Sequence, residues 1–158
     1  MDKVSEKNGI NDLWLLYMKA QRCCFKAREK ELSKYGITPE QAEMLFIINE
    51  ICGGSSNAGE ISRLTIREPQ TVAGIIVRMA KIGLVKRSRD AKNRHFLFIT
   101  LTDKGQEAYQ NSKNARSTQN IISALSDKQQ GQLRSILKIM IIAGKEELLK
   151  HYKPIFLR

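Results

Sequence analysis

No stretch of the chain approaches the ~20 consecutive apolar residues that a bilayer-spanning helix requires. The apolar run from Ile139 to Ala143 falls far short, and the opening Met1-Asp2-Lys3-Val4-Ser5-Glu6-Lys7 is polar and unlike a secretory leader. The expectation is a cytoplasmic protein with no membrane partner. Histidine is nearly missing, with only His95 and His151, and the cysteines Cys23, Cys24 and Cys52 are an odd set without CxxC spacing. No metal or other cofactor is expected, and the thiols should be reduced and mostly buried. Gly53-Gly54-Ser55-Ser56 lacks the GxxxxGK[ST] spacing of a phosphate-cradling loop, and two scattered histidines do not make a nucleophile–base triad. The chain is not expected to be an enzyme. Acidic residues are also in deficit, 16 against 27 Lys and Arg, for a net charge of +11. Such an excess points to a polyanionic partner, nucleic acid or an anionic surface, without choosing between them.

The 158 residues fit one domain with a core, or one subunit of an oligomer. From Ile10 to Tyr35, Leu13, Trp14, Tyr17, Ala20, Cys24, Ala27 and Leu32 recur at helical spacing with no proline or glycine between, and residues 1–9 are expected to be a flexible arm. Gly36 ends that helix. Thr38-Pro39-Glu40-Gln41 opens a second as a capping box, running to about Ile51 with Ala42, Leu45, Phe46 and Ile48 inward. Gly53 to Asn57 reads as a flexible connector, and Ala58 to Leu64 as a short helix. Beyond residue 101, Thr102 caps a helix to about Ala124. Ser126-Asp127-Lys128-Gln129 then opens a last helix to about Lys150, with Leu133, Ile136, Leu137, Met140 and Ile141 on one face.

The middle of the chain is the most specific. Pro69 stands at a first helical position, where its fixed φ helps and its missing donor costs nothing, and Gly83 supplies the stop. Between them Val72, Ile75, Ile76, Met79 and Ile82 form an apolar stripe, while Thr71, Gly74, Arg78 and Lys81 fall on another face. Gly74 costs about 1 kcal/mol against Ala in a helix interior unless something must approach closely. Taken alone this is any amphipathic helix. The next segment of chain changes the reading: Leu84 to Arg87 and Phe96 to Leu101 are β-forming runs around the basic segment Ser88-Arg89-Asp90-Ala91-Lys92-Asn93-Arg94. A helix, a turn, a second helix and a cationic hairpin make a winged helix-turn-helix, with the hairpin suited to phosphate neutralisation. The fold class is therefore mainly α with a small β-hairpin.

Gly83-Leu84-Val85, the basic strand, Asn93-Arg94 and Leu101-Thr102-Asp103-Lys104-Gly105 resemble the GLV, wing and LTxxG landmarks of the MarR family of transcriptional regulators. The resemblance runs from about Leu13 to Leu149. It implies a DNA-binding lobe over 37–102, dimerisation helices over 10–35 and 103–152 that interdigitate between two subunits, and a recognition helix from Pro69 to Lys81 in the major groove. It also implies that Arg94 reaches toward the minor groove. Two departures stand out: Asn93 replaces the usual wing aspartate, and the turn Thr65-Ile66-Arg67-Glu68 lacks a glycine often found there. Apolar spacing alone equally allows the terminal helices to close a monomeric bundle.

In that geometry the first turn of the recognition helix meets base edges. Gln70 and Thr71 are the candidates there, Gln because it pairs bidentately with adenine, with Gly74 allowing close approach and Arg78 reaching guanine or phosphate. Ser62, Arg63, Arg67, Arg89, Lys92 and Arg94 are assigned to the DNA backbone or the wing contact; for Arg63 and Lys92 a solvated surface charge is an equal reading. The resemblance further implies a ligand-responsive repressor, acting as a homodimer on a pseudo-palindromic double-stranded operator. Its effector would be small and aromatic or anionic, with Trp14, Tyr17, Met18, Met44 and Phe46 as candidate pocket residues, though such a patch is also what plain core looks like. The alternatives are a cysteine-based redox sensor on the same scaffold, or a non-enzymatic winged-helix module that binds protein or RNA.

Overall fold

The structure, a computed structural model, describes residues 3–89, 97–114 and 116–151. In chain order these form α1 (Lys3–Leu32), α2 (Pro39–Phe46), β1 (Ser55–Ser56), α3 (Ala58–Thr65), α4 (Pro69–Lys81), β2 (Val85–Arg89), β3 (Leu97–Leu101), α5 (Asp103–Lys113), α6 (Arg116–Ser123) and α7 (Asp127–His151). Among these residues no helix is long and apolar enough to cross a membrane.

Local signals set most boundaries. Thr38 and Gln41 form the expected capping box, the Gln41 amide donating to Thr38 Oγ1 at 3.3 Å and the Thr38 amide to Gln41 Oε1 at 2.9 Å. Asn57 caps α3 by accepting from the Glu60 amide, and Ser126 caps α7 with Gln129. Helix α4 begins at Pro69 as expected, and the chain leaves it through Gly83 at φ 77°, a conformation that glycine adopts at no steric cost.

Three features differ from expectation. Helix α1 starts at Lys3 rather than Ile10, so residues 3–9 continue the helix instead of forming an arm. Nothing in that stretch is a breaker stronger than Gly9, at about 1 kcal/mol. The connector Gly53 to Asn57 is ordered: Gly53 and Gly54, at φ 64° and 96°, turn the chain back so that Ser55 and Ser56 pair with Thr100 and Ile99. The hairpin thereby becomes a three-stranded antiparallel sheet of order β1-β3-β2, with Val85 opposite Leu101 and Arg89 opposite Leu97. Finally, the helix expected from 103 to 124 is broken at Asn114. Glu31, at the end of α1, accepts from the amides of Arg116 and Ser117 at 2.6 and 2.9 Å and so caps a separate α6.

One apolar core lies between α2, α3, α4, the sheet and α5. Leu45, Ile48, Ile61, Val72, Met79 and Ile99 are fully buried in it, each worth about 1.5–3 kcal/mol against exposure. Ala108 and Tyr109 of α5 and Leu32 of α1 belong to the same cluster, so α5 packs with the central lobe rather than with the terminal helices alone. Tyr109 donates its hydroxyl to Glu50, and Lys113 lies 3.4 Å from the same carboxylate. Burial first, and then the bond to Glu50, push the Tyr109 phenol up; the bonds from Tyr109 and Lys113 hold Glu50 below the usual carboxylate range.

The long terminal helices stand apart from this core. Ile10, Leu13, Trp14 and Leu16 of α1 and Ile136, Ile139, Ile141 and Ile142 of α7 are all exposed in the single chain. Cys23 and Cys24 are exposed on α1 and Cys52 is half-buried, which corrects the expectation of buried thiols. Helical spacing identifies a face but not what covers it.

Candidate nucleic-acid interface

Helix α4 buries Val72, Ile75, Ile76 and Met79, while Ile82, expected in the same stripe, is at the exposed C-cap. The face opposite carries Gln70, Gly74, Val77 and Lys81 at intervals of three and four, with Thr71 and Arg78 on its flank. Gln70, Thr71, Val77, Arg78 and Lys81 are exposed. Among the described residues a Cβ at Gly74 would meet only Arg78 Nη1, at an ordinary 3.7 Å, so none of their contacts requires glycine there. Val77 was missed in the sequence because it is apolar. Its position three residues beyond Gly74 was the available signal, and a β-branched methyl group there suits contact with a thymine methyl.

The helix is aimed by its neighbours. Ser62 is buried, and its hydroxyl donates to the Arg67 carbonyl at 2.5 Å across the turn between α3 and α4. This corrects its assignment to the DNA backbone: the hydroxyl is spent inside the protein, bracing the turn. Ile66 in that turn has φ 54°, a left-handed conformation that is uncommon for a β-branched residue and that glycine takes without strain. At the other end, Lys104 Nζ donates to the Ile82 carbonyl at 2.8 Å and Thr102 Oγ1 to the Gly83 carbonyl at 2.5 Å.

Three of the proposed contact residues converge. Arg67, Thr71 and Arg78 line one cleft of about 280 Å³ with Thr38, Glu40, Gln41 and Ile75. Arg67 Nη2 is 3.2 Å from Glu43 Oε2, while its Nε is buried without a hydrogen-bond partner among the described residues. Arg63 is exposed on α3, and β2 presents Lys86, Arg87, Ser88 and Arg89 to solvent. Asn93, Lys92 and Arg94 lie outside the described residues.

The five proposed effector residues do not converge. Trp14 and Tyr17, with ring centroids 5.4 Å apart, line an apolar cavity of about 450 Å³ between α1 and α7 with Leu13, Ala20, Leu133 and Met140. Met18 is half-buried, and Met44 is wholly buried in the core, which corrects its assignment to a pocket. Phe46, expected inward, is instead exposed, because α2 turns that face toward a gap rather than the core. It lines a separate cavity of about 360 Å³ together with Arg28, Glu43, Tyr109, Ser112, Lys113 and Thr118. Arg28 Nη2 donates to the Ser112 carbonyl at 2.7 Å, while its buried Nη1, without a hydrogen bond among the described residues, lies 3.8 Å from Glu31 Oε2. Among the described residues no group of His, Cys, Asp or Glu is placed to hold a metal ion. Burial pushes the Cys52 thiol up, the opposite of what activates a cysteine.

A buttressing helix, a braced turn, a helix with an exposed polar face and a basic strand define the winged-helix fold, and the solved structures on which the chain superposes carry it in MarR-type regulators. The chain superposes with a TM-score of 0.76 on a mutant MarR from E. coli in complex with operator DNA, at 18% identity over 84% of this chain and 96% of that one. It superposes with a TM-score of 0.77 on the organohalide-sensing regulator RdhR-CbdbA1625 in its 2,4-dichlorophenol-bound form, at 21% identity over 82% and 78% of the two chains. In sequence it is similar to an uncharacterized HTH-type transcriptional regulator, YfiV, of Bacillus subtilis (strain 168), 24% identical over 98 residues. That match spans 62% of this chain and 60% of the relative's length. No family model matches the chain.

Proposed function

We propose that this protein is a sequence-specific, double-stranded DNA-binding transcriptional regulator, a repressor that acts as a homodimer and is released by a small aromatic anion. The observation that carries the reading is the outer face of α4, where Gln70, Thr71, Val77 and Arg78 are exposed around a glycine that no contact among the described residues demands. The likeness to a regulator bound to operator DNA supports it. Gln70 and Thr71 read base edges, Arg67 and Arg78 hold phosphates, and the basic strand β2 extends the contact toward the wing. The exposed apolar faces of α1 and α7 support a second copy as partner, since exposed apolar patches of this kind mark interaction surfaces. Two recognition helices about 34 Å apart then read a pseudo-palindrome. The cavity beside Phe46, lined by Arg28, whose Nη1 faces Glu31 at 3.8 Å, and by Lys113, whose ammonium faces Glu50, suits an aromatic anion better than the apolar one between α1 and α7.

Fluorescence anisotropy against tiled duplexes from upstream of the gene, with excess competitor DNA, tests this directly. One competitor-resistant segment is expected, with Gln70→Ala or Thr71→Ala weakening it by about 1–3 kcal/mol. Equal, steeply salt-dependent binding to every duplex would reduce the claim to a basic surface. Gly74→Ala separates fold from function: it should stabilise the free protein by up to about 1 kcal/mol and still weaken the specific complex. An alanine variant that binds as tightly as the wild type would remove the close-approach argument.

A further inference from the structure

Helix α2 stands between two openings, and one side chain takes part in both. On one side is the cleft of Arg67, Thr71 and Arg78 beneath the DNA-facing side of α4; on the other is the cavity lined by Arg28, Phe46 and Lys113. Glu43 lines the second and holds, at 3.2 Å, the arginine that lines the first. We propose that Glu43 competes with the DNA backbone for the Arg67 guanidinium, and that this exchange couples an anion in the cavity to the grip on DNA. The coupling rests on the anion-binding reading of that cavity given above.

The Arg67–Glu43 pair is built to be exchanged. Its side chains are 32% and 43% exposed, and a pair so open to water contributes little net stability. Arg67 makes a single contact to the carboxylate through Nη2, leaving a buried Nε donor without a partner among the described residues. A phosphate in the cleft offers the bidentate geometry for which guanidinium is suited. Glu43 therefore holds Arg67 where a phosphate would otherwise claim it. When DNA takes the arginine, the Glu43 charge on the cavity wall loses its neutralising partner and repels any anion there. By linkage the converse holds: an anion in the cavity favours the state in which Arg67 stays on Glu43, and DNA is held less firmly.

The test is a double-mutant cycle read by anisotropy on a labelled duplex of random sequence, with circular dichroism melts to show that each variant is folded. Glu43→Gln is expected to tighten binding about two- to fivefold, the scale of an exposed ion pair. Arg67→Ala should weaken binding, and Glu43→Gln should gain nothing in the Arg67→Ala background. A gain of equal size in both backgrounds would reduce Glu43 to its net charge and overturn the competition, as would no gain at all. Sodium benzoate, compared with sodium chloride at matched ionic strength, supplies the second arm. Benzoate should weaken DNA binding by the wild type and not by Glu43→Gln; equal weakening of both overturns the coupling. No benzoate effect on the wild type overturns the coupling together with the anion reading of the cavity, while the cycle still decides the competition for Arg67.

Discussion

Gly105→Ala should leave no stably folded protein. A Cβ at this position would lie 1.9 Å from the carbonyl oxygen of Leu84 and 2.9 Å from its carbonyl carbon, and these are backbone atoms that cannot swing aside. The same Leu84 oxygen accepts the Thr102 amide at 3.1 Å, and Thr102 in turn bonds the Gly83 carbonyl and caps α5 through the Gly105 amide. Moving α5 outward to admit the methyl would break the exit of α4, the end of β3 and the start of α5 together. The expected loss exceeds about 4 kcal/mol, a large part of the 5–15 kcal/mol that holds a domain together. Urea denaturation followed by circular dichroism would measure it. A Gly105→Ala protein with near wild-type stability would mean that α5 is not seated on Leu84 as described.

On the proposed reading as a homodimer, Ile139→Glu should separate the two copies while sparing the fold. Ile139 is 67% exposed in the single chain, where a change to Glu is expected to alter stability by no more than about 0.5 kcal/mol. If a second copy covers that face, the same change buries an unpaired carboxylate in each subunit. Sedimentation equilibrium should then find monomers with an unchanged circular dichroism spectrum. Operator affinity should fall on the order of 10²-fold or more as the linked second half-site is lost. A variant that stays dimeric and binds DNA normally would place the subunit contact elsewhere.

What could be read from the sequence is what depends on neighbours along the chain. Pro69 and Gly83 bounded α4, and the Thr38–Gln41 and Ser126–Gln129 boxes were visible as spacings, because caps and fixed φ values act over a few residues. The break at Asn114 was hidden because the carboxylate that caps α6 arrives from Glu31, 85 residues away from Arg116. Ser62 looked like a surface hydroxyl beside Arg63, and only the packing of α3 against α4 shows it turned inward to the Arg67 carbonyl. Met44 and Phe46 are close neighbours on α2 and equally apolar, yet one is buried and the other lines a cavity, a difference set by the helices packed around them. The exposure of Gln70, Thr71, Arg78 and Lys81 on one side of α4 was legible from helical spacing, and that of Val77 was disguised by its apolar character.

Among the described residues, the strand order β1-β3-β2 leaves β2 with one side of its backbone unpaired. An open edge of five residues is a template on which another chain can add a strand, and β1, only two residues long, offers much less of one. Along β2 the exposed side chains include Lys86, Arg87 and Arg89. Two such edges brought together would set like charges face to face. On the DNA-binding reading proposed above, the cations offered to phosphate would also keep these molecules from zipping to one another, so that solubility at high concentration and affinity for nucleic acid would draw on the same three side chains.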